Sequence, residues 1–457
     1  MQAIAETVRR QQAFFRTGNS RAVDFRRRRL KRLEAAILAY ENRFYDAFRE
    51  DLHKPPLEVF GAEIGIVLKE IRLQLKMLSR WAAPTRIPTD RLNFPGVSRI
   101  RHEPFGVVLI MAPWNYPFQL ALMPLVGAIA AGNCAVLKPA HDSTRVSALI
   151  ARMIAETFAD DYVAAFTGGR EVNQALLDQR FDLIFFTGSP ALGRIVMQKA
   201  ARHLTPVVLE LGGKSPCIVD RDARLEAAAG RIAFGKFLNA GQTCIGPDHL
   251  FVHRSVKERL IAGIRRWIVR AYGEDPERSA DYCRIINHRH VDRLSGLMRS
   301  AGTIVHGGRV NREARYIEPT LIDGITPHDP IMQEEIFGPL LPIIEFTRLT
   351  EVIDAVNAGE KPLALYYFGA SAARRDRLLD AVPSGGGCIN DTLMHITNAN
   401  LPFGGVGNSG MGRYHGKASF DAFSYQRSIL QKSTVVNLTL HHPPYGRKLR
   451  YARPILS

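Results

Sequence analysis

Three side chains far apart in the chain have the types that acyl chemistry uses: a thiol, a carboxylate and a neutral amide. Cys244 stands in Gly241-Gln242-Thr243-Cys244-Ile245-Gly246, between two glycines, in a chain with five cysteines in 457 residues. It falls between an expected helix ending near Asn239 and an expected strand beginning near Leu250, so a loop should carry it. A thiolate there can attack an electrophilic carbon, and the glycines leave room for one to approach. A buried, inert thiol is the other reading. Glu210 interrupts the apolar run Val207 to Leu211 and precedes Gly212-Gly213. A carboxylate so placed is either a satisfied core group or a base whose proton affinity burial has raised. Asn115 lies in Ala112-Pro113-Trp114-Asn115-Tyr116-Pro117. Its amide can donate to a developing oxyanion while Trp114 and Tyr116 wall out water; a turn asparagine between two prolines is the alternative.

These positions need elements to hold them. From Phe105 onward short apolar runs alternate with helical patterns. The runs are Val107 to Met111, Ala135 to Leu137, Val163 to Phe166, Leu183 to Phe186 and Val207 to Leu211. Helices are expected over Gln119 to Ala131, Thr144 to Thr157, Glu171 to Leu177 and Ala191 to Ala201. Strict alternation argues for a parallel sheet covered on both faces, with ligands at the carboxyl ends of its strands. A second alternating series begins near Leu225, with a helix to Asn239, a strand from Leu250 to His253 and a helix from Val256 to Arg270. The G-x-G-x-x-G fingerprint is absent after the early strands. In its place Gly188 and Gly193 flank the start of a helix, where free N–H groups suit a phosphate; an ordinary strand-to-helix turn is the plain alternative.

Composition narrows the class. An apolar content of 46% and a charged content of 23% are those of a globular protein long enough for two or three domains. The cysteines form no CxxC pair and no cluster at metal-ligand spacing, so neither a disulfide framework nor a metal site is expected, and a reducing, cytoplasmic setting fits. No apolar run reaches 18 residues and the N-terminus lacks an apolar signal core, which reads as a chain without a membrane anchor. The net charge of +17 and the run Arg26-Arg27-Arg28-Arg29-Leu30-Lys31-Arg32 invite a nucleic-acid reading. Leu30, Leu33, Ile37, Tyr40, Phe44 and Phe48 recur around that run at helical spacing, so a basic, solvated outer face of an amphipathic helix accounts for it. No nucleic-acid module accompanies it.

Taken together, the motifs PWNYP, GNCAVLKPA, FFTGS, LELGGKSP, GQTCIGPD, EEIFGPLLPI and LPFGGVGNSGMGRYHG resemble the aldehyde dehydrogenase superfamily in their order and rough spacing. The resemblance covers nearly the whole chain and is strongest to the class 3 branch of fatty-, aromatic- and coniferyl-aldehyde enzymes. It implies an α/β fold with a Rossmann-like cofactor domain (1–83 and 105–210, with part of 398–425), an α/β catalytic domain (211–397) and a small bridging element for oligomerisation (84–104 and 426–445). A homodimer is implied. So is oxidation of an aldehyde to its acid: Cys244 matches the nucleophile, Asn115 the oxyanion donor and Glu210 the base that activates water. Lys138 and Glu335 match the residues holding the two riboses, and Phe337 the one near the nicotinamide ribose. Gly188, Ser189 and Gly193 match the pyrophosphate loop, with Leu211 and Gly212 beside it. Tyr116, Phe234, Thr243 and Phe403 match the wall of a substrate tunnel whose apolar character suits a hydrophobic aldehyde.

The cofactor is expected to be NAD or NADP. Many NAD-preferring relatives carry a glutamate three residues after the ribose-binding lysine, and this chain carries His141 there. A carboxylate would repel a 2′-phosphate by about a few kcal/mol at an effective dielectric near ~20; histidine removes that repulsion, so use of both cofactors is expected. A CoA-acylating dehydrogenase would share the fold and Cys244, but such relatives usually lack the glutamate matched by Glu210. A non-catalytic basic binding protein on the same scaffold is the remote alternative.

Overall fold

The computed structural model of the 457-residue chain describes residues 2–300, 302–436 and 442–456. It contains, among the described residues, two large sheets, a small three-stranded one and a two-stranded hairpin of Val310–Asn311 with Tyr316–Ile317. The first large sheet has six strands in the order Gly410–Met411, Val207–Leu211, Leu183–Gly188, Val107–Met111, Cys134–Lys138 and Val163–Ala165. All neighbours are parallel except Gly410–Met411, which runs against Val207–Leu211. Val107–Met111 and Cys134–Lys138 are buried at every position, as continuous apolar runs between two helical layers must be. Helices Gln119–Ala131, Thr144–Thr157, Arg170–Leu177 and Pro190–Ala201 make the crossovers.

The second large sheet has seven strands: Thr303–His306, Thr320–Asp323, Leu340–Phe346, His249–His253, Pro216–Val219, Ala364–Phe368 and Gly386–Ile389. Only its first pair is antiparallel. The chain passes from the first sheet into the second through Gly212 to Ser215, between Val207–Leu211 and Pro216–Val219. The small sheet joins Thr85–Ile87, Gly96–Pro104 and Ser424–Lys432, all antiparallel. Residues 437–441 of the expected bridging segment lie outside the described residues. No helix among those described is long and apolar enough to cross a membrane.

Two sequence expectations need correction. The run from Arg26 does lie on an amphipathic helix, Val23–Leu52, whose Leu30, Leu33, Ile37, Phe44 and Phe48 are fully buried. Arg26 is not on its outer face. It is buried, and its guanidinium donates to the carbonyls of Ser20 (3.2 Å), Ala130 (3.2 Å) and Arg21 (2.6 Å). It thereby satisfies the C-terminal end of Gln119–Ala131, where a cation suits the helix dipole. Gly132, at φ 99°, admits it: a Cβ there would sit 2.8 Å from Arg26 Nε. The second correction concerns the helix from Leu225, which stops at Phe237 rather than Asn239. Asn239 and Ala240 follow at φ 52° and 50°, a left-handed pair in a tight turn that reaches Gly241.

Candidate active site

That left-handed turn is what delivers Cys244. Nothing in the residue types of Asn239 or Ala240 demands positive φ, so tertiary hydrogen bonds must hold it. Gln242, fully buried, supplies them: its side-chain amide donates to the carbonyls of Asn239 and Arg284, both at 3.0 Å, and its side-chain oxygen accepts from Ile286 N–H at 3.0 Å. Gly241, at φ 74°, lies so close to another loop that a Cβ on it would meet the Gly338 carbonyl oxygen at 2.2 Å. The two loops carrying Cys244 and Glu335 therefore touch through backbone.

Asn115 joins the same network from the first sheet. Its side-chain amide donates one N–H to the Gln242 carbonyl at 3.0 Å, leaving the second for a ligand. Its own carbonyl accepts from Asn239 Nδ2 at 2.8 Å and from Lys54 Nζ at 3.2 Å. Lys54 is wholly buried, paired with Glu63 at 2.8 Å and seated 4.3 Å from the centre of the Tyr116 ring. Glu63 in turn accepts from the N–H groups of Phe118 and Gln119, at the start of the helix that follows. The Tyr116 hydroxyl pairs with Thr243 Oγ1 at 2.7 Å, closing a ring between the two loops. Lys54 and Glu63 carry no role in the sequence reading. Their only signal is a lysine and a glutamate in a stretch that otherwise turns apolar, and nothing local says they are partners.

All of this surrounds one cavity of about 1050 Å³. Cys244, Glu210 and Asn115 line it, from three different segments. The Cys244 thiol is pushed up to about 12 by burial first, then by the charges of Glu335 and Glu210, with the backbone N–H groups of Cys244 and Ile245 pulling the other way. Glu210 is 2% exposed, and neither carboxyl oxygen has a partner. Burial pushes that carboxyl well above its ordinary range, opposed only by Arg413. Tyr116, Thr243 and Phe403 line the cavity, as does Phe234, which is 41% exposed and so stands at its outer rim.

The expected cofactor residues divide into two groups. Gly188, Ser189, Leu211, Gly212, Glu335 and Phe337 line the cavity. Lys138, His141 and Gly193 do not. Gly193 is buried in the helix Pro190–Ala201, where a Cβ would meet Leu211 Cδ2 at 2.7 Å, so its smallness serves helix-to-strand packing. Lys138 ends its strand buried, donating to the Pro139 carbonyl at 2.7 Å, and burial pushes its amine down to about 8 against the opposing pull of Asp142. His141 is exposed beside Gly169, whose Cβ, if present, would lie 3.9 Å from His141 Nε2.

These features fit a dinucleotide. Ser189 caps the helix Pro190–Ala201, its hydroxyl accepting from Leu192 N–H at 3.4 Å; Pro190 has no N–H and Gly193 N–H bonds the Ser189 carbonyl at 2.9 Å, so Ala191 is the first-turn residue whose N–H can face a phosphate. Glu335 lies over Gly212 so closely that a Cβ there would meet its Oε2 at 2.1 Å, a cradle that only glycine leaves open. Burial pushes the Glu335 carboxyl up to about 8, aided by Asp248 and opposed by the Gly213 N–H, Lys214 and Arg293. Phe337, at φ 50°, meets Trp114 edge-on at 5.3 Å. Its loop is tied to the second sheet by Lys214, which pairs with the buried Asp248, while Asp248 accepts from Ile336 N–H at 2.9 Å.

Comparison with known proteins identifies the family and the fold. The model of the aldehyde dehydrogenase family matches residues 2–429. A 4,4'-diaponeurosporen-aldehyde dehydrogenase of Staphylococcus aureus is 47% identical over 454 residues, covering 99% of each chain. A dimeric, NADP-preferring aldehyde dehydrogenase of Rattus norvegicus is 42% identical over 452 residues, covering 98% of this chain and 99% of the other. The solved, substrate-bound Staphylococcus aureus AldH superposes with a TM-score of 0.97 at 46% identity, covering 99% of each chain.

Proposed function

The chain belongs to the aldehyde dehydrogenase family, and from that premise we propose that it oxidises hydrophobic aldehydes to carboxylic acids through a thioester on Cys244. It is an oxidoreductase of nicotinamide-dependent type. The observation carrying the mechanistic reading is that a thiol, an unpartnered carboxylate and a side-chain amide with one free N–H converge on a single cavity.

The Cys244 thiolate attacks the aldehyde carbon, and the carbonyl electron pair moves to oxygen. Asn115 Nδ2 and the Cys244 N–H donate to that oxyanion; losing one such donor costs roughly 10²–10³ in rate. A nicotinamide cofactor would be held by Glu335, Phe337 and the Gly188–Ser189 turn, with Lys138 reaching its ribose from outside the cavity lining, and would supply the acceptor for the hydride leaving the tetrahedral carbon. The carbonyl re-forms as a thioester. Glu210 then removes a proton from water as the water oxygen bonds the thioester carbon; the carbon–sulfur bond breaks and its electrons return to Cys244. A large cavity walled by Tyr116, Ile245, Leu393 and Phe403 favours long aliphatic or aromatic aldehydes.

A panel of short aliphatic, long aliphatic, benzaldehyde-type and cinnamyl-type aldehydes, read by NAD(P)H absorbance, tests this reading. Apolar aldehydes should give the highest kcat/KM, and Cys244→Ser should abolish turnover. Full activity in that variant would overturn the mechanism. The exposed His141 in place of a carboxylate supports use of NADP at least as well as NAD. A preference for NAD of about a hundredfold in kcat/KM, worth ~2.7 kcal/mol, would sink that assignment.

A further inference from the structure

Behind Glu210 the cavity wall carries a set of buried polar atoms that the scheme above leaves without a task. Thr187 Oγ1 and the two Glu210 oxygens have no partner, and Gln119 Nε2 and the Tyr414 hydroxyl have none beyond each other. All four residues line the cavity and are more than nine-tenths buried: Thr187 at 8%, Gln119 at 4%, Glu210 at 2% and Tyr414 at 0%.

They are also neighbours. Thr187 and Glu210 are direct partners across adjacent parallel strands, so their side chains leave the same face about 5 Å apart. On the other side of Glu210 its antiparallel partner is Gly410, which brings no side chain to fill the space. The Tyr414 ring is fixed by edge-on contacts with Phe185 (5.2 Å), Phe403 (5.7 Å) and His415 (4.3 Å). Its hydroxyl lies next to the Gln119 amide and within the electrostatic reach of Glu210. Gln119 is anchored from behind, its backbone N–H donating to Glu63 at 2.9 Å.

Each buried polar group without a partner costs about 1–3 kcal/mol. A cluster of two acceptor oxygens, an amide donor and two hydroxyls is the composition that holds an internal water, which makes about three hydrogen bonds. We propose that Thr187, Gln119 and Tyr414 form a water-holding site that orients the Glu210 carboxylate for thioester hydrolysis, making them positioning residues for that half of the reaction. The inference rests on the role given to Glu210 above. The attacking water passes one proton to a Glu210 oxygen as its own oxygen bonds the acyl carbon and the Cys244 sulfur leaves with the electron pair. The held water then takes that proton from Glu210 and releases one to the solvent of the cavity, restoring the carboxylate. Donors delivered through this water favour the charged carboxylate and oppose the upward push of burial.

The test separates the two halves of the reaction. Wild type, Tyr414→Phe, Gln119→Leu and Thr187→Val are mixed with a long-chain aldehyde and NAD(P), and the first-turnover NAD(P)H burst is recorded. Decay of the acyl adduct on Cys244 is followed by intact-protein mass after quenching. The expected result is a normal burst, adduct decay slowed about tenfold or more, and a pH profile of decay moved to higher pH, because a carboxylate that loses donors is harder to ionise. Thr187→Ser should restore the decay rate. A normal burst with unchanged decay in all three variants would overturn this site alone, as would burst and decay falling in parallel. A wild-type chain that makes no NAD(P)H from any aldehyde would instead bring down the role of Cys244, and this site with it.

Discussion

With burial and two neighbouring carboxyl groups holding the Cys244 thiol up at about 12, the reactive thiolate is scarce near neutral pH and its fraction rises with alkalinity. Glu335 contributes to this as an anion, and its own carboxyl ionises only around 8. Glu335→Gln removes a negative charge beside the sulfur, so the thiolate becomes easier to form. The rising limb of iodoacetamide alkylation of Cys244 should move to lower pH in that variant; an unmoved or higher limb would contradict the assignment. At this scale the sequence was readable where chemistry leaves an odd residue in an apolar or glycine-rich run, as at Glu210 and Cys244. It was silent on Lys54, Glu63, Gln119 and Thr187. Lys54 and Glu63 act on residues 61 and 56 positions away, Asn115 and Gln119, and Thr187 meets Glu210 only across two strands, pairings that no local pattern marks.

Between residues and domains, the short connections set the geometry. Strands Val107–Met111 and Val207–Leu211 coincide with the expected runs, because a strand covered on both faces is apolar at nearly every position, Glu210 being the exception, and the second run ends at Gly212. The left-handed turn at Asn239 and Ala240 was not legible, since its conformation is set by Gln242 bridging the Asn239 carbonyl to the distant stretch of Arg284 and Ile286. Gly241→Ala should therefore cost more than its size implies: the added carbon meets a carbonyl oxygen at positive φ, a strain of roughly 1–3 kcal/mol that displaces the Cys244 loop. The expected outcome is a fall in kcat larger than the change in KM, measured by steady-state kinetics. Asp248 ties the Glu335 loop to the second sheet. Burial alone would raise its carboxyl, but Lys214, His249 and Lys236 hold it well below the ordinary range. A depressed carboxylate stabilises the fold above the unfolded-state pKa of ~3.9 and loses that contribution as pH falls toward the folded value. Asp248→Asn takes the charged partner from the part-exposed Lys214, which keeps its bonds to the Ile331 and Glu334 carbonyls, and should cost about 1.5–3 kcal/mol at neutral pH. Urea denaturation should find the deficit shrinking below pH ~4.

The whole molecule brings its two large sheets to one cavity, Glu210 arriving from the first and Cys244 from the approach to the second. The alternation of runs and helices made this architecture legible in the sequence, and so did the basic outer face of Val23–Leu52 apart from Arg26, whose service to a helix end depends on the distant Ala130 carbonyl. The small sheet ends in Ser424–Lys432, a nine-residue edge strand exposed at most positions, with Tyr425 and Leu430 both 45% exposed. An edge of that length ordinarily needs cover, which supports a homodimer formed through it. Light scattering during size exclusion should give twice the 51.0 kDa chain mass; a monomer at working concentration would refute this. The backbone contact between Gly241 and Gly338 also bears on engineering. Mutational libraries that vary the nucleophile loop alone should yield mostly inactive clones at position 241, whereas libraries that diversify both loops together can recover activity through compensating shifts. Enlarging this enzyme's substrate range is in that sense a two-loop design problem.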